Sequence, residues 1–388
     1  MIVLPSYIEF ALNRLSNKGY KAYIVGGCVR DYIMKKTPND YDIATNALPE
    51  QIISAFHDCK HILSGVKHGT VSIIKDKEII EITTYRIDSS YSDNRHPDKV
   101  SFTDNLLSDL SRRDFSINAI AMDKDGSIID VFNGLNDISN KVIRCVGDPN
   151  KRFTEDGLRI LRGLRFASVL DFHIDKCTSN SIHKFSYLLK NISAERIQTE
   201  FTKIICGYNA EKILCDYFDV FSQILPFRYN YKGINKIKND VTQRLAYLMI
   251  GQTNNKILEV ASILKLSNYY RDSILFLCNN LNIIKGINKI GIKKLLSVYT
   301  TQQVIKLIEF AVDSIGAYNV INVLNEIIYN NEPCRIEDLD INGNDLKSIG
   351  YKGKEISSIL NNLLNSVIVG ICENQKKQLM LQAKDTMY

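Results

Sequence analysis

Three things are missing from this sequence, and each absence removes a class of protein. There is no CxxC pair. Its nine cysteines (Cys28, Cys59, Cys145, Cys177, Cys206, Cys215, Cys278, Cys334 and Cys372) are odd in number and scattered, so neither a zinc site nor a disulfide framework is expected, and a reducing cytoplasm fits best. The N-terminus shows no cationic segment followed by an apolar one, so no secretory signal is expected. No apolar run approaches the roughly 18 residues of a membrane span. Charge is also short of extreme: net +6 and a pI near 8.6 are compatible with a polyanionic partner without proving one. The expectation is a soluble, cytoplasmic protein without a membrane partner, and nothing points to an oligomeric state.

What is present is a chain of 388 residues, enough for two or three domains. Up to about Ile143 it reads as mixed α/β. Ile8 to Leu15 has helical spacing, and Ala22–Val25 is a short strand ended by Gly26-Gly27. A helix start follows at Val29, and another short strand at Tyr41–Ala44. "TVSIIKDKEIIEITTYR" is a hairpin around Lys75-Asp76-Lys77, and "AIAMDKDGSIIDVF" a second one with Asp125-Gly126 at the turn. Between them "RIDSSYSDNRHPDKVSF" is polar and reads as a mobile loop. From Arg152 the period becomes helical: "RFTEDGLRILRGLRFASVL" predicts a helix with Thr154 placed to cap it. Past Ile192 hairpin signals vanish. "KGINKI" occurs at Lys232 and Lys285 with unrelated flanks, which is chance in an Asn/Ile/Lys-rich stretch and not a repeat.

Chemistry concentrates in "YIVGGCVRDYIMKKTPNDYDIATNALPE". Asp40 and Asp42, alternating in a strand, point to one face about 6 to 7 Å apart. Two such carboxylates repel unless a cation sits between them, and a hard ion such as Mg²⁺ suits oxygen ligands while leaving positions for phosphates. A solvated D-x-D at a strand edge is the alternative. Gly26-Gly27 between strand and helix lets backbone N–H groups approach a phosphate, Arg30 can add a bidentate contact, and Asp31 is placed to orient Arg30. The alternative is a tight turn with a surface arginine. Phosphate cradle and carboxylate pair in succession describe a nucleoside triphosphate held for transfer. Glu81, mid-strand among apolar neighbours, either joins the metal site, orients the attacking hydroxyl, or pairs with Arg86 or a nearby lysine.

With "GGCVRD", "NDYDIAT", "EITTYR", "RRDFSINAIAMD" and "EDGLRILRGLRF" in this order, the sequence resembles the class II nucleotidyltransferases of the polymerase-β superfamily. More narrowly it is similar to the bacterial family of CCA-adding tRNA nucleotidyltransferases and poly(A) polymerases. The likeness is strong from about Tyr20 to Phe201 and returns in "DLDINGNDLKSIGYKGKEISSILNNLLNSVIVG". It implies an α+β fold: a polymerase-β-like head with a small mixed sheet of five strands (1–146), a helical neck (147–207), and a helical body and tail that bind tRNA (208–388). It implies addition of C, C and A to the tRNA 3′ end from CTP and ATP, with Mg²⁺ on Asp40 and Asp42. Glu81 joins these as a catalytic candidate. Gly27, Arg30, Arg113 and Asp114 would bind the nucleotide, Asn118 belongs to the same motif, and Arg162 and Arg165 would continue the arginine series.

Asp156 and Arg159 match the family's base-selecting motif with Glu155. Three apart on one helix face, they would offer acceptors and a donor fork to a base edge; an ordinary i,i+3 salt bridge is the alternative. In "SAERIQTEF", Glu195 and Arg196 are expected to hold structure. Lys347, Lys352 and Lys354 are candidates for RNA backbone contact. Two departures stand out: Val131-Phe132-Asn133-Gly134 where the family usually has Pro-Phe-Gly-Gly, and Cys28 at a usually small position, read as packing.

Poly(A) polymerases share the head motifs but usually carry extra basic sequence at the C-terminus. "YSDNRHPDKV", which relatives adding only CC lack, favours addition of A as well. An A-only enzyme stays open, and an inactive RNA-binding homologue is disfavoured by the intact Asp40, Asp42 and Arg113.

Overall fold

The computed structural model describes residues 4–38, 40–88, 100–225 and 227–385. They form two units, 1–228 with 260–266, and 229–259 with 267–388.

The first unit is built on a mixed sheet of seven strands, two more than the resemblance implies. In spatial order they are Lys60–Ile62, Thr70–Lys75, Glu78–Thr84, Asp42–Thr45, Ala22–Val25, Ile120–Met122 and Ile128–Asp130. Only the pairing of Asp42–Thr45 with Glu78–Thr84 is parallel. Both expected hairpins form. The first turns through Asp76 and Lys77, both at positive φ, and the second through Gly126 at φ 91°. Side chains alternate across the sheet, so Ile24, Ile43, Ile80 and Ile82 are fully buried on one face, which the helices Ser6–Asn17 and Pro49–Ala55 help cover. On the other face Val25, Ala44 and Ala121 pack with Tyr85 and Leu110, leaving part of that face open.

The departure at Val131–Gly134 keeps its turn. Asn133 occupies the left-handed region at φ 61°, which asparagine tolerates better than most residues. Gly134 is obligatory for another reason: a Cβ there would lie 2.3 Å from the Ser116 carbonyl oxygen. Within the segment read as a loop, Arg86–Asp88 pairs with Val100–Phe102; residues 89–99 lie outside the described residues.

The predicted helix over 152–170 is two helices. Pro149–Glu155 is capped by Asp148, whose side chain accepts from Asn150 N, and Leu158–Leu170 follows. Thr154 does not cap; its hydroxyl donates back to the carbonyls of Asn150 and Lys151. The break falls at Asp156, whose backbone is extended (φ −142°, ψ 106°). From Ala194 onward the described residues contain helices and no strand. In the second unit Leu346, Leu363, Leu364, Leu379 and Ala383 form a buried tail core. No helix among the described residues is long and apolar enough to cross a membrane, and all nine cysteines are free.

Candidate active site

Where Ala22–Val25 ends, Gly26 turns the chain at φ 82°, a conformation open to glycine and strained for other residues. A Cβ at Gly26 would stand 3.1 Å from Arg113 Nη1. The helix Gly27–Ile33 starts at once, placing Arg30 against a cavity of ≈ 400 Å³. Gly26, Gly27, Arg30, Asp42, Arg112, Arg113, Asp114, Asn118, Arg159, Arg162, Arg165 and Phe166 line it. Six arginines and two aspartates line it, and guanidinium forks of this kind can meet a polyanion.

Each guanidinium is held by a named partner. Asp31 accepts from both Nε and Nη2 of Arg30 (2.9 and 2.7 Å), as its adjacency suggested, while Arg30 Nη1 donates to Asn118 Oδ1 at 2.8 Å. Asn118 donates in turn to Asp114 Oδ1 at 3.3 Å, and Arg162 closes on Asp114 Oδ2 through Nε at 2.7 Å. Burial opposes ionisation of Asp114, but Arg162, Arg159 and Asn118 outweigh it and hold the carboxyl at about 2. Arg165 donates to the buried Glu200 at 2.6 Å. The Phe166 ring gathers three cations, with Arg165, Arg30 and Arg162 at 4.1, 5.3 and 5.5 Å from its centroid.

Asp109 escaped the sequence reading. Its carboxylate is 1% exposed and accepts from Arg112 at 2.8 Å and Arg113 at 3.3 Å, so one buried charge aims both arginines. Burial raises its pKa, yet the two arginines bring it below the usual carboxylate value. The spacing D-x-x-R-R on a helix, i,i+3 with i,i+4, was the available signal.

The carboxylate row differs in detail from expectation. The strand begins at Asp42, so Asp40 precedes it instead of alternating within it. Glu81 sits directly opposite Asp42 in the parallel pair. Its side chain is exposed on the open face, which removes the cost of leaving it unpaired; no ion pair with Arg86 forms, and Arg86 donates to the His68 carbonyl instead. Asp42 is pushed up from its ordinary value by desolvation and by the charges of Glu81 and Asp40, against the pull of Arg113. That crowding of hard oxygen donors suits a divalent cation such as Mg²⁺. No group of three or more His, Cys, Asp and Glu among the described residues is arranged to enclose a metal, and a site completed by substrate phosphates needs none.

Asp156 and Arg159 do not pair. Asp156 accepts from Leu158 N and from Arg196 Nη2, both at 3.0 Å. Arg159 donates to Glu155 at 2.6 Å and to the carbonyls of Arg152 and Arg112. The helix break between them is the cause. Arg159 lines the cavity and Asp156 is not among its lining residues. Arg196 thus contacts Asp156, and Glu195 pairs with Lys265 at 2.6 Å. Lys347, Lys352 and Lys354 are exposed in the second unit.

Comparison with known proteins gives the architecture a family. The model of the "Poly A polymerase head domain" matches residues 22–144, and that of the "Probable RNA and SrmB- binding site of polymerase A" matches 171–227. Both models are named for poly(A) polymerase, so neither separates the two readings. A CCA-adding enzyme of Ligilactobacillus salivarius is 35% identical over 394 residues, covering 96% of this chain and 94% of the relative. The chain belongs to the CCA-adding enzymes. Another member of the family, from Staphylococcus epidermidis, is 36% identical over 94% of this chain and 92% of its own. Among solved structures, the Bacillus stearothermophilus CCA-adding enzyme in complex with CTP superposes with a TM-score of 0.80 at 27% identity, covering 99% of this chain and 98% of that one. The Thermotoga maritima CCA-adding enzyme complexed with tRNA_CCA, 20% identical with a TM-score of 0.74, shares the fold.

Proposed function

We propose that this chain adds C, C and A to the 3′ end of tRNA from CTP and ATP without a nucleic-acid template, by Mg²⁺-dependent nucleotidyl transfer. The observation that carries the proposal is a cavity of six arginines whose lip is Asp42, with Glu81 in register beside it. Asp42 and Asp40 would hold Mg²⁺, which when bound neutralises charge on the triphosphate. Arg30, Arg112 and Arg113 with the backbone at Gly26-Gly27 take the phosphates, and Arg162 and Arg165 extend the same lining. The acceptor 3′ oxygen forms a bond to the α-phosphorus as the bond to the bridging oxygen breaks. Pyrophosphate leaves with the electron pair, and the hydroxyl proton passes to a carboxylate, for which Glu81 is the candidate.

Base selection falls to Arg159 with Asp156. A carboxylate has about four acceptor positions, so the bonds from Leu158 and Arg196 leave Asp156 able to meet an exocyclic amine of C or A. Asp114, buried and tied to Arg162 and Asn118, fixes the arginines as well as facing the ribose. The functional division is a head over 1–146, a neck over 147–207, and an RNA-binding body and tail over 208–388 that includes Lys347, Lys352 and Lys354. The deciding experiment is incorporation of each of the four triphosphates on tRNA ending at its discriminator base, after one C, and after two. C, C and A in turn support the reading; addition of A alone, or of many A residues, overturns it.

A further inference from the structure

The register of the head sheet lays one row of side chains across five strands on the open face: Val25, Asp42, Glu81, Ser72 and Ile62. Adjacent strands are about 4.8 Å apart. The cavity lies at the Val25 end, because Gly26 and Gly27 follow directly, and Asp42 is its last lining residue on the sheet. Beyond Asp42 the row runs on through Glu81 to the sheet edge, one strand at a time.

Two large apolar side chains are exposed toward that edge. Ile79 shares the face of Glu81 and is 55% exposed, and Ile62 is 37% exposed. Ile74, opposite Ile79, and Lys60, opposite Ile74, share the face, and no ion pair engages Lys60 among the described residues. Beside Asp42 and Glu81 these isoleucines offer apolar atoms to sugar and base faces, and the lysine at the rim offers its charge to a phosphate.

We propose that Lys60, Ile62, Ser72, Ile74 and Ile79 form the platform on which the 3′-terminal nucleotides of the acceptor RNA lie. The inference rests on the transfer reaction proposed above. The incoming nucleotide fills one side of Asp42, so the attacking hydroxyl must arrive from the other, and the row leaves only the Glu81–Ser72–Ile62 side. Ser72 comes within reach of the terminal ribose, Ile62 and Ile79 pack against it and the preceding nucleotide, and Lys60 meets a phosphate.

The test begins with wild-type enzyme on tRNA ending after its first C. If it adds no nucleotide, the transfer reading itself fails and the platform falls with it. If it does, Ile62→Ser/Ile79→Ser and Lys60→Ala are compared with Ile128→Ser, an exposed isoleucine on the opposite face at the far sheet edge. The double variant is expected to lower kcat/KM for the acceptor about tenfold, with CTP affinity by equilibrium dialysis and thermal midpoint unchanged, and Ile128→Ser is expected to behave as wild type. A benzophenone side chain at position 79 should cross-link to the last three nucleotides of labelled tRNA, and one at position 128 should not. Unchanged acceptor kinetics in the double variant, an equal loss of CTP affinity, or cross-links elsewhere on the tRNA would overturn the platform.

Discussion

At the scale of single residues, charge placement explains more than charge count. Asp42 carries the clearest consequence. An acid whose folded pKa lies above its unfolded one costs the fold stability once ionised, a cost absent at low pH and growing as pH rises through the folded pKa. Asp42→Asn is therefore expected to keep or raise the thermal midpoint at pH 7 in the absence of metal, while nucleotide addition is lost. Mg²⁺ should raise the midpoint of the wild type and leave that of Asp42→Asn unmoved. A clear fall in the metal-free midpoint would contradict the crowding inferred for the row. Asp114 has the opposite sign. Its folded value of about 2 against an ordinary value near 3.9 gives stability present above the unfolded pKa and lost as pH falls through the folded one, on the order of 2–3 kcal/mol. Urea titrations should show the gap between wild type and Asp114→Asn constant above about pH 5 and closing toward pH 2; a gap independent of pH would refute it.

Among the elements, the break between Pro149–Glu155 and Leu158–Leu170 is what the sequence concealed. Periodicity runs through it, because Phe153, Leu158, Leu161 and Leu164 are all buried and no proline marks the interruption. The extended backbone at Asp156 shows it, and Asp156 there pairs with Arg196 on the helix Ala194–Ile205. Asp156→Ala should cost about 1–3 kcal/mol. A double-mutant cycle with Arg196→Ala should give a coupling of at least about 0.5 kcal/mol, and additive losses would show the pair to be idle. The hairpins, by contrast, were legible from β-rich runs around short polar turns, and Gly26 from its place between strand and helix. Asp42 and most of the cavity arginines were legible as lining residues because their motifs lie in contiguous stretches. Asp109, Phe166 and Glu200 were not, since each acts through contacts with residues already chosen, and none carries a signal until the chain is folded. Asp109→Asn should therefore weaken nucleotide affinity through Arg112 and Arg113, raising KM for CTP more than it lowers kcat. An unchanged KM would make Asp109 merely structural.

Across the whole molecule, the net charge of +6 is mild, the six cavity arginines are each partnered by a carboxylate, and exposed lysines stand in the second unit. If Lys347, Lys352 and Lys354 meet RNA phosphates, replacing all three with alanine should reduce the slope of log K against log salt by about 2–3, with little change in CTP affinity. An unaltered slope would remove them from the RNA-binding surface. The central claim, that this cavity builds a defined three-nucleotide end, is tested most directly by sequencing product ends. Wild-type enzyme is incubated with tRNA ending at the discriminator base and all four triphosphates together. The account predicts ends of C, C and A in that order, with addition stopping there and abolished in Asp42→Asn; runs of A, a lone A on the discriminator base, or indiscriminate use of G and U would contradict it.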